Sequence, residues 1–240
     1  MLDKAAAVLE CFQPDGGAFR LTDIAARTGL AKTTAFRLCA DLVRLGLLDR
    51  DGDGYRLGGK LFELGSLVPR RFHLREVALP FLQDLFEATH ETVHLGIREG
   101  REVVYVERIH GHRAPVLPSR IGGRLPLTCT GVGKALLAFA GEELIEEVLA
   151  APLPRLTPHS VTDPARLRTL VGQIQAAGLA HEEQEAAVGV CCIASPVFDG
   201  ATAVAALSVA VPRARFRSAR LAPAVRTAAL GLSRALRSGR

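Results

Sequence analysis

Two groups of residues in this 240-residue chain carry types and spacings that could do chemistry. The first is Lys32, Thr33, Thr34 and Arg37, at the start of a helical segment. Hydroxyls and cations placed there suit phosphates and base edges. Arg50 and Arg56 stand on either side of Asp51-Gly52-Asp53, where they could flank a minor groove or a row of phosphates. The second group is Thr130-Gly131-Val132-Gly133, which opens another helix. Its first N–H groups lack helical acceptors, the helix dipole adds positive potential, and glycine lets a ligand approach the backbone. A carboxylate is the natural guest. The competing reading is a glycine-started helix that only packs closely on a sheet.

Other combinations suggest chemistry less well. Cys191-Cys192 could be a nucleophile or redox pair, with His181 the near base in sequence. Adjacent strand residues point to opposite faces, so the two should not bridge, and Cys192 reads better as a small wall residue. His90-x-x-x-His94 mimics a helical metal pair, but a helix should end near Thr89 and a strand begin near Thr92. His110 and His112 flank Gly111 in a loop without a metal spacing. Gly131-x-Gly133-Lys134 is too short for a phosphate loop and lacks its following hydroxyl. No metal, cofactor or catalytic set is expected.

The elements that must position these residues can be read from periodicity. Thr22 is a plausible N-cap with Ala25 in the capping-box position, so the box is absent. Gly29 breaks this first helix and Leu30 packs into the turn. A second helix is predicted from Lys32 to Leu45, with Ala35, Leu38, Leu42 and Leu45 as its apolar stripe. Gly46 ends it, and residues 47–50 and 54–57 read as two short strands. Helix, turn, helix and hairpin in that order describe a winged helix-turn-helix, which places one helix in the DNA major groove.

Leu61 to Leu67 reads as a short helix, broken by Val68-Pro69-Arg70-Arg71, where the linker is placed. Leu74 to Thr89 is amphipathic, with Val77, Phe81, Leu82 and Leu85 inward. Hairpins follow at residues 93–109 and 191–211, with helices at 131–139, 142–149, 164–177 and 218–236. Hairpin strands with paired helices indicate the α+β class and an antiparallel sheet.

Composition fits this division. Hydrophobic content of 48% and charged content of 23% are those of a soluble globular protein, and no apolar run is long enough to span a membrane. The N-terminus lacks the regions of a signal peptide, and five cysteines without metal spacing should be reduced thiols, so a cytoplasmic location is expected. Twelve aromatic side chains and no Trp argue against a single-strand platform built on stacking. Residues 1–75 hold 12 Lys/Arg against 9 Asp/Glu, which suits phosphate contact. Residues 213–240 hold eight arginines and no acid, as a solvated helix face or as a partner or DNA contact.

Long motifs in one order carry a resemblance: LTDIAARTGLAKTTAFRLCADLVRLGLLDR, YRLGGKLFELG, LREVALPFLQDLFEATHETVHLGI, VVYVERI, RIGGRLPLTCTGVGKALLAF, SVTDPARLRTL, GVCCIASPVF and AALSVAVP. The chain resembles the IclR family of bacterial transcriptional regulators along nearly its whole length. The resemblance implies a winged-helix DNA-binding domain (1–58), a linker helix (59–72) and an effector-binding domain similar to GAF and PAS sensors (73–240). It implies homodimers or dimers of dimers on palindromic double-stranded operators, and repression or activation controlled by a small organic acid. It also carries over effector-binding positions: Leu125, Gly131, Val132, Glu182, Val190, Cys192, Ser208 and Ala210. Glu182 stands where the family has a shorter Asp, Ala210 replaces a second Ser, and Val132 replaces a smaller Ala; Ser195 stands where Ala is usual. A less polar ligand, or a differently placed carboxylate, follows from those changes. The alternative from another class is an enzyme acting on a small carboxylate through Cys192 and Glu182, fused to a DNA-binding module. No nucleophile, base and orienting group form a recognisable set, which favours the regulator.

Overall fold

The computed structural model describes residues 1–12, 17–111 and 115–238. Contacts divide the chain into two units, Met1–Phe72 and His73–Arg240.

The first unit runs α1 (Leu2–Glu10), β1 (Phe19–Arg20), α2 (Leu21–Thr28), α3 (Lys32–Arg44), β2 (Leu48–Asp51), β3 (Gly54–Leu57) and α4 (Gly59–Ser66). The strands form an antiparallel sheet in the order β1-β3-β2. Val8, Ile24, Leu38, Cys39, Leu42, Leu48 and Tyr55 make one core, with Leu30 packed against it. Helix α2 ends on Gly29 at φ 67°, a left-handed turn that costs glycine nothing.

Three expectations are corrected here. Helix α2 begins at Leu21 with Arg20 as its N-cap, and the Asp23 carboxylate accepts the Arg20 N–H at 3.1 Å. Half of a capping box therefore exists two residues ahead of where Thr22 suggested it, because a carboxylate reaches back better than a methyl. Leu45 caps α3 rather than continuing its stripe and is exposed, while Cys39, not expected inward, is buried in the core. Pro69 opens a helix instead of breaking one, since proline at the first position sacrifices no helical hydrogen bond. Helix α1 and strand β1 were not foreseen; β1 has only two residues, below the reach of any periodicity.

In chain order there follow α5 (Pro69–Thr89), β4 (Thr92–Glu99), β5 (Glu102–Ile109), β6 (Arg124–Pro126), α6 (Gly131–Ala138), α7 (Glu142–Leu149), α8 (Pro164–Ala177), β7 (Ala180–Glu183), β8 (Val190–Asp199), β9 (Thr202–Pro212) and α9 (Ser218–Ser238). The six strands form an antiparallel sheet in the order β6-β5-β4-β9-β8-β7. Alternation splits the side chains between two cores. Val93 and Leu95, Ile193, and Leu207 and Val209 pack with Leu82 and Leu85 of α5 and Val225 and Leu232 of α9. On the other face Val103, Ala194 and Ala206 pack with Val132, Leu136 and Leu137 of α6, Ile145 of α7 and Leu167 of α8. The short strands β6 and β7, also unforeseen, widen this second face at its two edges. Ser195, the unusual residue of the CIASPVF motif, donates its hydroxyl to the Gly178 carbonyl at 3.0 Å, tying β8 to the end of α8.

Candidate functional site

Residues of one parity on neighbouring strands face α6. His94 pairs in register with Ser208, Cys192 with Ala210 and with Glu182. Across them lies the start of α6, where the Thr130 hydroxyl caps the helix by accepting the Gly133 N–H at 2.9 Å. Gly131 and Val132 are the first two helical residues, so their N–H groups have no acceptor within the helix. Between strands and helix is a cavity with about 370 Å³ of space between atoms, part of it open to solvent. Leu125, Gly131, Val132, Glu182, Val190, Cys192, Ser208 and Ala210 all line it. The structure thus brings all eight sequence-derived positions together.

The glycines serve packing as well. A Cβ on Gly131 would stand 2.9 Å from Cys192 Sγ, and one on Gly133 would stand 2.2 Å from the Leu127 carbonyl oxygen. The helix start can therefore lie close to both the sheet and the preceding turn only with glycine at these places.

Besides these and Thr130 of the same helix start, sequence reasoning missed seven lining residues: His94, Tyr105, Leu117, Pro118, Ser119, Ala186 and Ala187. His94 is the most informative of these. It is buried on β4, with Nε2 2.8 Å from Ser119 Oγ and Nδ1 3.4 Å from Ser208 Oγ. Burial, then Arg108 and His110, hold its imidazole neutral by pushing its pKa down to about 3. His90 lies beyond α5 with φ 55°, so the two histidines share no helix face. The signal for His94 was period-two alternation: a polar residue in step with Thr92 and Gly96, between the buried Val93 and Leu95. His110 joins Arg108 through contacts of 2.6 and 3.1 Å, while His112 lies outside the described residues.

Glu182 is buried on β7, and its Oε1 accepts the N–H groups of Glu185 and Ala186. Burial raises its pKa to about 7, against the opposing pull of those N–H groups and Lys134. Near neutrality it is therefore divided between carboxylate and carboxylic acid, and the acid can donate a hydrogen bond to a ligand oxygen. Buried Lys134 pairs with Glu185, whose carbonyl accepts the Ser160 hydroxyl at 2.8 Å and that of Thr157. These bonds pin the β7–β8 connection over the cavity. Burial pushes the Cys192 thiol up to about 12, with Glu182 adding to the shift, so the thiolate that a nucleophile needs is suppressed. His181 points to the opposite face and meets Ser218 Oγ at 2.7 Å, so it cannot serve Cys192 as a base. The site is built to hold a small polar molecule in a neutral, mostly apolar enclosure.

The first unit holds the other candidate site. Lys32, Thr33 and Arg37 are exposed on α3, opposite the core positions Ala35, Leu38 and Leu42. Thr34 is half-buried rather than fully out as expected, because it lies four residues before the buried Leu38 and so on the flank of the core face. Lys32 and Arg37 have no carboxylate partner among the described residues. The wing differs. Arg56 lies 3.7 Å from Asp49 and 3.8 Å from Asp51, and Arg50 lies over the Tyr55 ring at 4.3 Å. Its cations are already engaged within the hairpin.

Comparison with known proteins identifies the family of both units. Residues 1–52 match the IclR helix-turn-helix domain, and residues 67–234 match the C-terminal domain of bacterial transcriptional regulator IclR. The Escherichia coli regulator XynR is 36% identical over 98% of this chain and 96% of its own length. A crystal structure of an IclR homologue from Microbacterium hydrocarbonoxydans, complexed with 4-hydroxybenzoate, superposes with a TM-score of 0.90 at 36% identity, covering 99% of each chain. The Thermotoga maritima IclR gives a TM-score of 0.79 at 30% identity over 98% of each chain. This chain belongs to the IclR family: it is a ligand-responsive, DNA-binding transcription regulator rather than an enzyme. Among the described residues no helix is long and apolar enough to cross a membrane.

Proposed function

We propose that the cavity senses a small aromatic hydroxy acid and that its occupancy controls binding of the winged helix to a palindromic operator in the cytoplasm. One observation carries this reading: Gly131 and Val132, whose N–H groups have no acceptor within the helix, a protonatable Glu182 and the His94–Ser208 pair converge on one largely apolar enclosure. The ligand carboxylate takes the helix-start N–H groups. The protonated Glu182, or the serine hydroxyls, face its hydroxyl or second oxygen. Leu125, Val132, Val190 and Ala210 cover the ring. The bound relative points to the same class, since its ligand is 4-hydroxybenzoate.

On this reading residues 1–58 bind DNA, 59–72 link, and 73–240 bind the effector. Lys32, Thr33 and Arg37 make the principal DNA contacts, while Thr34, Arg50 and Arg56 contribute less. Phe62, Leu64 and Leu67 stand exposed on and just after α4, and pairing with a second copy would cover them. One winged helix reads only a half-site, so a dimer is required for a palindrome.

Calorimetric titration of the full chain tests the effector class, using 4-hydroxybenzoate, benzoate, 4-hydroxybenzyl alcohol and pyruvate. The first should bind tightest, and the alcohol should lose about tenfold or more, the worth of a charge-assisted hydrogen bond. Equal affinity for the alcohol, or no binding of any aromatic acid, would overturn the assignment.

A further inference from the structure

Phe36 lies on the exposed side of α3 and is 49% exposed, yet half of a phenyl ring in water contributes nothing to the fold. Thr33, Phe36, Arg37 and Ala40 follow the i, i+3, i+4, i+7 spacing of one helix face, and all four are exposed. The opposite face, Ala35, Leu38, Cys39 and Leu42, fills the core. Phe36 is thus placed between the two groups expected to read base edges, with the Arg37 cation beside it. Its ring can neither donate nor accept a hydrogen bond. In the major groove the apolar feature that a side chain can meet is the C5-methyl of thymine.

We infer that Phe36 is a specificity-determining residue that reads thymine through its 5-methyl group, next to Arg37. The inference rests on α3 being the groove-entering helix, and goes further in naming a base and the atom read. It also assigns the hydrogen-bonding contacts of this helix to its neighbours. Arg37 supplies a fork for guanine or phosphate, and Thr33 a hydroxyl.

The test lets the protein choose its operator. The full chain selects its own duplex from a random pool, and affinity for that duplex is measured by fluorescence anisotropy at fixed salt. Each thymine is then replaced singly by deoxyuridine, which removes the methyl and keeps every hydrogen-bonding group. For the wild type, at least one replacement should weaken binding roughly three- to fivefold, the worth of one buried methyl. For Phe36→Ala the same replacement should cost less than about 1.5-fold, and Phe36→Leu should fall between. Wild-type binding that is indifferent to every deoxyuridine would overturn the inference, as would full sensitivity retained in Phe36→Ala. So would a Phe36→Ala chain that changes its oligomeric state while keeping its affinity, since the ring would then face a second copy. Failure to enrich any duplex would instead overturn the groove-entering role of α3 on which the inference depends.

Discussion

The two functional regions handle polar groups in opposite ways. On α3 the side chains of Lys32, Thr33 and Arg37 are exposed, and the two cations have no carboxylate partner among the described residues. In the cavity the polar groups are buried, bonded to one another and moved far from their usual titration. On the proposed function, the α3 surface acts through charge and shape presented to a large polyanion, and salt weakens it. On the same proposal the cavity acts through a few desolvated groups whose protonation is part of recognition, and salt reaches it poorly.

Three measurements would break or sharpen this contrast. The largest effect belongs to His94. Its folded pKa, about 3, lies below the unfolded value of 6.5, so its neutral form contributes stability that is full above pH 6.5 and lost as pH falls toward 3. By pH 4 the loss should reach about 3 kcal/mol. Denaturant unfolding of the wild type and of His94→Asn, at pH 7 and pH 4, should show the gap between them shrinking by that amount. A constant gap would mean that the imidazole is solvated.

Next comes the α3 surface. Arg37→Ala should weaken specific DNA binding by about 1–3 kcal/mol, whereas Arg56→Ala, whose cation is held by Asp49 and Asp51, should cost less than about 0.5 kcal/mol. Equal losses in a gel shift at fixed salt would show that the wing exchanges its aspartates for phosphates. The smallest effect lies in Glu182. With its pKa raised to about 7, the proton that lets it face a ligand oxygen is lost as pH rises, so affinity for a carboxylate effector should fall above pH 7. From pH 7 to 8 the loss should be about fivefold, and Glu182→Gln, a permanent neutral donor, should bind with little pH dependence over that range.

The same contrast decides what the sequence could disclose. The α3 surface is a local object: Gly29 and Gly46 punctuate it, a 3.6-residue period orients it, and only Thr34 and Leu45, on the flank and at the end, turn otherwise than expected. The cavity is assembled by pairing between distant strands. Its eight inherited positions came from a family pattern; alternation marked His94 only as inward, and its company, Tyr105 and Ser119, became visible only once β5 and the segment before β6 lay beside β4. The same limit applies to β6 and β7, strands of three and four residues whose identity depends on the neighbour they pair with. Pro69 marks a different limit, since proline signals the start of a helix as readily as an interruption.

The order of strands in the large sheet carries a consequence for how this protein is made. Its middle is the pairing of β4 with β9, and there Ser208 meets His94, 114 residues earlier in the chain. The first unit closes within 72 residues and can fold while synthesis continues. The sensor must wait until its last strand, β9, has left the ribosome and that long loop can close. A nascent regulator thus acquires its DNA-reading helix well before it has anywhere to receive a signal.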